Sequence, residues 1–438
     1  MTISQSAPPA QAQTGSSWVV LRYPKFRWLF FAQLISLIGS SMQLAAVNWH
    51  VWNLTQDELA LGFVGLVRVI PIIILALLGG VIADAVDRRR LLIFTQSGML
   101  ISAGVLALAT LSGEVSLPIV YLMTAALSGL TAFDNPARSA LLPTLVPENQ
   151  IANAVRLNVV LWQVTAVLGP VVAGLLLAAF GPGLAYGFNA LSFLPVVIWA
   201  LWVRVTPIVS AEKREISFAA LGEGLRFVRS TPLLWSSMLL DFFATFFSSA
   251  LALLPIYATD ILRVGAQGYG LLYAAPSFGA TAGAFLMAQL GSRVKRQGEL
   301  MIWAVAGYGL STIIFGLSNS FIISLIALAC VGMTDSFSTV VRGALRQLLT
   351  PDRLRGRIIS ITLIFFQGGP QLGEFEAGVM ARAFGAPLSV VSGGIGTVIA
   401  VGAIACMVPA LRHYRESAPA EALAVPTTPE AVPQINPP

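Results

Sequence analysis

The sequence predicts an all-α membrane protein with twelve transmembrane helices in two pseudo-symmetric six-helix bundles. Three observations carry that prediction. The chain is 56% hydrophobic and only 11% charged, with a mean hydropathy of +0.80, against roughly 25% charged residues in soluble domains. Its apolar runs reach membrane length. Leu91 to Ser112 carries no charge, and about 20 residues cross the hydrocarbon core as a helix. Finally, one segment occurs twice. Residues Arg138 to Gly181 align without a gap to Arg342 to Gly385, 204 positions on, and 13 of the 44 pairs are identical.

The elements follow in order. Backbone groups in lipid must be satisfied internally, so the apolar runs read as helices and not as strands. Spans are expected at 27–54, 59–84, 91–112, 117–142, 157–180, 184–203, 233–259, 268–291, 299–318, 321–345, 357–384 and 387–411. The repeat offset carries the fourth span onto the tenth and the fifth onto the eleventh, so six spans fall in each repeat. Parallel repeats of this length in a membrane chain indicate two bundles rocking about a shared midline site. The expected organisation is a tail over 1–26, an N-terminal bundle over 27–203, a linker over 204–232, a C-terminal bundle over 233–411 and a tail over 412–438. In the linker, Phe218, Leu221, Leu225 and Val228 recur at helical spacing. That pattern fits a short helix along the membrane interface, the alternative being a plain tether. The last segment, rich in Pro and Ala, reads as disordered.

Basic residues set the orientation. With twelve spans, 23 of the 26 Lys and Arg fall on the side that holds both termini. Arg263 and Arg382 approach the other side, and Arg68 lies within a span. Such a bias places both termini in the cytoplasm. It also accounts for the formal charge of +6 through anionic lipid, so no nucleic-acid partner is expected.

Several classes are excluded. The first 17 residues carry no basic stretch, so no cleavable signal is expected. Cys330 and Cys406 lie in apolar spans and form neither a disulfide framework nor a metal motif. His50 and His413 are too few and too far apart for a zinc site. No glycine-rich phosphate loop is present. No cofactor, metal or ATP is expected, and no nucleophile–base constellation points to an enzyme.

Polar groups inside the spans are where chemistry is expected. Glu374 and Glu376 stand in the middle of the eleventh span, where the first repeat has Pro170 and Val172. An ionised, unpaired carboxylate there costs several kcal/mol. Each must therefore pair with a cation or hold a proton. Glu374, Glu376, Asp241 and Asp335 are the proton-coupling candidates. The two glutamates are two positions apart, about 200° around a helix, so they face different surroundings. Arg68 is the one cation deep in a span, and pairing with a carboxylate is its favoured role over attracting an anion. Arg68, Gln33, Asn48, Gln163, Asn189, Gln367 and Gln371 are candidates for a substrate-cavity wall. For each amide, linking two helices is the alternative. Asp134 and Arg138 have the i,i+4 order of a helix ion pair, and Asp335 shares a helix face with Arg342.

Two motifs carry a family resemblance. Gly80-Val81-Ile82-Ala83-Asp84 followed by Arg88-Arg89-Arg90 resembles motif A of the major facilitator superfamily, with departures at Ala85 and Asp87. Leu168-Gly169-Pro170-Val171-Val172-Ala173-Gly174 resembles motif C, which that superfamily associates with antiporters. Leu221 to Phe227, Arg355-Gly356-Arg357 and Leu411 to Tyr414 resemble bacterial enterobactin exporters and macrolide efflux proteins. The resemblance implies a cytoplasmic gate of Gly80, Asp84, Arg88, Arg89 and Arg138, in which Asp84 latches the bundles and Arg138 is its expected partner. It implies helix packing through Gly169, Pro170 and Gly174. It also implies export of a small organic molecule, siderophore or drug-like, by alternating access in exchange for protons. The expected setting is a multi-pass monomer in the lipid bilayer of a bacterial cytoplasmic (inner) membrane. An uptake permease, or a non-transporting sensor or scaffold, are the alternatives. One departure bears on coupling: the mid-span-four arginine of typical drug–proton antiporters is absent, because Arg138 stands at the helix end.

Overall fold

Prolines at first turns, glycines at turns and carboxylate caps divide this apolar chain into helices. In this computed structural model residues 17–85, 87–203, 218–351 and 354–414 are described. The side chains of 76–85, 218–221, 292, 355–357, 359–360, 363–364 and 367 are outside that description.

Helix α1, Pro24–Thr55, begins on a proline, which needs no donor there, and ends where Gln56 turns left-handed at φ 50°. Helix α2, Glu58–Ala85, starts where the Asp57 carboxylate accepts the Leu59 N–H at 2.9 Å. Asp87 caps α3, Arg88–Leu111, by accepting from the Arg89 N–H at 2.8 Å. Helix α4 is Leu117–Leu141, and α5, Ile151–Ser192, continues through a kink into the sixth span, which α6, Leu194–Trp202, completes. The amphipathic α7 is Phe218–Ser230. Beyond it lie α8, Pro232–Phe247, the short α9, Leu254–Ile256, and α10, Gly265–Leu290. The chain closes with α11, Gln297–Leu317, α12, Phe321–Leu349, α13, Arg355–Phe384, α14, Ala386–Met407, and α15, Pro409–Arg412.

Among the described residues, 10 helical stretches are long and apolar enough to cross a membrane. One of them, Glu148–Trp202, is 55 residues long and holds two spans joined at Gly181. Adding α13, with 30 residues, gives the expected twelve. Gly181 sits at φ 74° and ψ −179°, and its counterpart in the repeat, Gly385, at φ 86° and ψ 154°. This backbone region is essentially restricted to glycine. The same turn therefore joins the fifth span to the sixth and the eleventh to the twelfth.

The seventh span differs from expectation. It is not one helix over 233–259. Helix α8 stops at Phe247, a 3₁₀ turn covers Ala250–Leu253, and a π turn at Tyr257–Ile261 follows α9. Hydroxyls take up the freed Thr245 carbonyl and brace the break against neighbouring helices. Ser249 Oγ donates to the carbonyls of Thr245 (2.7 Å) and Pro370 (2.8 Å), and Ser248 Oγ bonds Thr397 Oγ1 at 2.8 Å. A broken span is tolerated in lipid only where protein satisfies its backbone in this way. Other boundaries moved outward: α5 begins at Ile151 and α12 ends at Leu349.

Helices α1–α6 form one lobe and α8–α15 the other. The α7 helix packs on the second lobe, where Val228 joins a cluster with Met238, Leu354, Ile358 and Ile361. The lobes meet along α2 with α13 and α5 with α10. Gly62 Cα packs on Gly378 in the first crossing, and Gly174 on Gly270 in the second. A Cβ at Gly378 would lie 2.7 Å from Gly62 Cα, and one at Gly174 would lie 2.9 Å from Gly270 Cα. Close backbone approach through small residues is how helices associate in lipid, where burying apolar surface gives no drive. Gly174 and Gly378 are 204 positions apart, so both crossings descend from one ancestral contact. Below, the face that carries the chain ends is the terminal face, and the opposite one the far face.

Candidate functional site

The α2–α13 crossing sets up the first functional contact. At Gly65 the helices touch backbone to side chain: a Cβ there would collide with the Gln371 carbonyl and lie 2.8 Å from Glu374 Cβ. That proximity lets Arg68, one turn along α2, reach Glu374. Its Nη1 lies 3.4 Å from both carboxylate oxygens, and the side chains are 15% and 8% exposed. This ion pair joins the lobes in a low-dielectric setting, where one charge without the other is costly. Glu376, two positions on, is half-buried and has no ion-pair partner among the described residues. The two carboxylates are thus split, as their angular separation requires.

Glu374 also faces a cavity of about 250 Å³ inside the second lobe. Asp335 on α12 lines the same cavity, together with the broken stretch of α8 at Ser248 and Ser249 and the aromatic rings of Tyr308 and Phe315. One carboxylate belongs to the lobe boundary and the other to the lobe interior. No Lys or Arg is among the lining residues.

The duplicated arginines hold the remaining carboxylates. Arg342 Nη1 pairs with Asp241 on α8 at 2.5 Å, and its Nη2 lies 3.3 Å from Asp335 and 2.7 Å from Thr339 Oγ1. In the first lobe Arg138 pairs with Asp134 through Nε and donates from Nη2 to Ser36 Oγ at 3.2 Å. Asp134 also accepts from Thr95 and Gln96, each at 2.8 Å. Each arginine borders a small cavity of about 20 Å³, room for a single water. The cavity walls correspond too: Leu142 and Asn158 line one, Arg346 and Thr362 the other, again 204 positions apart.

The gate expected from motif A is only partly described. The side chains of Gly80 and Asp84 lie outside the described residues. Arg138 is occupied by Asp134 and Ser36 within its own lobe, with Nη1 buried and unpartnered among the described residues. Arg88 donates to the Ala140 carbonyl at 3.0 Å. Arg89 donates to the carbonyls of Ala200 and Leu201. Both arginines neutralise the negative ends of neighbouring helices, α4 and α6.

The amides are dispersed. Asn189 donates to Gln43 and accepts from Ser192, linking helices. Gln33 and Asn158 line the small cavity at Arg138. Asn48 is fully buried with both amide atoms unpartnered, and Gln371 has an unpartnered buried Oε1 beside the α2 crossing. Gln163 is half-buried, and the Gln367 side chain lies outside the described residues. In motif C, Gly169 packs on Ser41 and Met42 of α1, Pro170 presents its carbonyl to Gly270, and Gly174 meets α10 of the other lobe. Motif C thus serves one contact within a lobe and one between lobes.

Polar links close the far half of the lobe boundary. Trp52 Nε1 donates to Thr259 Oγ1 at 3.1 Å, and Tyr269 Oη donates to the Ala45 carbonyl at 2.7 Å. Arg382 Nη1 lies 3.3 Å from the Asp57 carboxylate. Sequence reasoning alone does not single out Trp52, Tyr269, Ser248 or Ser249. Paired serines inside an apolar run were the available signal, since a polar interruption marks a discontinuous helix.

Residues 15–434 match the family model described as transmembrane secretion effector. The chain is similar to the enterobactin exporter EntS of Escherichia coli (strain K12), 26% identical over 397 residues that cover 91% of this chain and 95% of that protein. It is 27% identical to EntS of Citrobacter koseri over the same shares. Among solved structures it resembles a bacterial homolog to the human lysosomal transporter Spinster in an inward-facing and unoccupied conformation. There the TM-score is 0.71 and the identity 17%, over 90% of this chain and 99% of that one. The nucleoside transporter NupG superimposes with a TM-score of 0.72 at 12% identity, over 90% and 100%. These two likenesses establish the fold.

Proposed function

This chain belongs to the transmembrane secretion effector family of the major facilitator superfamily, and from that premise we propose that it exports a small organic molecule, siderophore or drug-like, by alternating access in exchange for protons. It is a multi-pass membrane transporter. Relatives named as exporters support the outward direction. The basic terminal face supports cytoplasmic termini in a bacterial inner membrane. On that reading the closed far half is the state that loads cargo from the cytoplasm, and a monomer suffices.

The observation that carries proton exchange is the Arg68–Glu374 pair across the lobe boundary. Opening the far half must separate α2 from α13, and with them the two charges. Glu374, buried and without its cation, then takes a proton from outside, because burial disfavours the charged form. Return of the lobes brings Arg68 back, and its positive charge drives the proton off toward the cytoplasm. Cargo leaves in one half-cycle and a proton enters in the other. Asp84, with Arg88, Arg89 and Arg138, guards the cytoplasmic side in the opposite half-cycle. Asp84→Asn is expected to insert normally and turn over slowly.

The test is transport in inverted membrane vesicles under an imposed pH gradient. Glu374→Gln abolishes gradient-driven movement while facilitated exchange persists at raised substrate concentration. If Glu374→Gln and Glu376→Gln both leave gradient-driven movement intact, the proton-carrier assignment is wrong.

A further inference from the structure

The cavity inside the second lobe has a chemical bias. Three of its hydroxyls have committed their protons. Thr245 Oγ1 donates to the Asp241 carbonyl, Ser249 Oγ to those of Thr245 and Pro370, and Thr312 Oγ1 to that of Tyr308. What they offer a ligand is lone pairs. Carboxylates of Glu374 and Asp335 add negative charge, and α8 ends at the wall, so its negative dipole end faces the same space. Nothing basic lines the cavity. An anion would face two carboxylates and these committed hydroxyls, with only the neutral hydroxyls of Ser248, Ser277 and Tyr308 among its other polar neighbours. A bare metal ion would be loosely held in about 250 Å³, since hard cations demand oxygen ligands at roughly 2–2.6 Å all around. A compact cation with an apolar body fits, with the rings of Tyr308 and Phe315 available to its charge.

We propose that this cavity binds a compact organic ammonium group of the cargo between Glu374 and Asp335, and that its arrival draws Glu374 away from Arg68. The proposal rests on the transport reading above and narrows it to cargo bearing a cation. Its logic is competition. Glu374 is the one carboxylate that both lines the cavity and holds the opposite lobe. A ligand ammonium therefore replaces Arg68 as its counter-charge, and occupancy loosens the lobe boundary that must part for release. Arg342 restrains Asp335 from within the same lobe, so Asp335 binds without any such consequence.

Binding to the purified full chain in lipid nanodiscs at pH 8 tests this, with three probes of one shape: phenethylammonium, phenylacetate and phenethyl alcohol. Phenethylammonium is expected to bind saturably and at least roughly tenfold tighter than either other probe, the size of one buried charge contact. Asp335→Asn weakens it by a similar factor, and Arg68→Gln, followed up a pH series to the point where Glu374 is ionised in the variant, tightens it several-fold because the competing cation is gone. A gain in affinity cannot come from a damaged fold. Equal binding of phenylacetate, or an Arg68→Gln variant that binds no better than the parent, overturns the proposal. Proton-driven flux of phenethylammonium in proteoliposomes reads the export proposal separately. Cation-selective binding that responds to Arg68→Gln but produces no flux upholds the site and refutes export. Flux that does not distinguish the three probes refutes the site and leaves export standing.

Discussion

Three arginines within spans, part-buried Arg68 and buried Arg138 and Arg342, are each matched to a carboxylate, and the match differs in what it joins. Arg138 with Asp134 is a pair along α4 that reaches α1 and α3 through Ser36, Thr95 and Gln96, and Arg342 ties α12 to α8 through Asp241, all within a lobe. Arg68 with Glu374 ties one lobe to the other. Removing one member of such a pair strands the other in a medium that penalises lone charge. Arg68→Met is therefore expected to lower stability by roughly 1–3 kcal/mol, less than the roughly 3–5 kcal/mol of a fully buried pair, because the contact is 3.4 Å long and Arg68 is part-exposed. The double substitution Arg68→Met with Glu374→Leu recovers most of it. Thermal melts of the four proteins form a double-mutant cycle, and a coupling energy near zero would count against a formed pair. The requirement that Glu374 have a partner was legible in the sequence, since a carboxylate in an apolar span needs a cation. That the partner is Arg68 became visible only in the fold, because the two are 306 positions apart and on different repeats.

Helices repeat their history here more faithfully than their side chains do. The turn at Gly181 recurs at Gly385, and the lobe crossing at Gly174 recurs at Gly378. These positions stood out in the doubled segment because each is fixed by backbone geometry, which divergence of side chains does not relax. Gly378→Ala tests the crossing directly: its Cβ would lie 2.7 Å from the Glu58 carbonyl, which cannot rotate away. Disulfide formation between cysteines placed at Asp57 and Arg382 is expected to fall in that variant, with the yield read on a gel. The break after α8 is hidden from hydropathy, which averages high from Phe247 to Pro255 and joins the stretch into one span; Ser248-Ser249 is the one local signal of it. Its cost is met by Ser249, whose hydroxyl serves two carbonyls. Ser249→Ala should destabilise the protein by roughly 1–2 kcal/mol, whereas Ser249→Thr should retain most of that stability; equal melts for all three would remove this account of the break.

Taken as a single body, the transporter is shut at the far face by contacts of unequal worth. Asp57 and Arg382 are 39% and 58% exposed, and such pairs contribute about 0–1 kcal/mol. The buried Tyr269 hydroxyl on the Ala45 carbonyl is worth more, on the order of 1 kcal/mol or above. Labelling of a cysteine at Thr259 by a bulky maleimide from the far side separates them. Arg382→Ala should change the rate less than about twofold, and Tyr269→Phe should raise it roughly five- to tenfold. The reverse order would make the surface pair the main restraint. The overall plan, two related six-span lobes, was readable from hydropathy and from the repeat. The functional centre was less so: the expectation was a midline pocket, and the cavity described lies within one lobe with a single carboxylate at the boundary.

The glycine crossings have a mechanical consequence. Gly62 on Gly378 and Gly174 on Gly270 both lie in the half that must part, and none of these glycines has a side chain to interlock with its neighbour. Bare backbones lift off one another without any rotamer having to be withdrawn from a socket. On return the same smooth surfaces meet again with nothing to re-thread. Parting and re-seating of the two lobes are thereby kept free of steric hindrance at their tightest points.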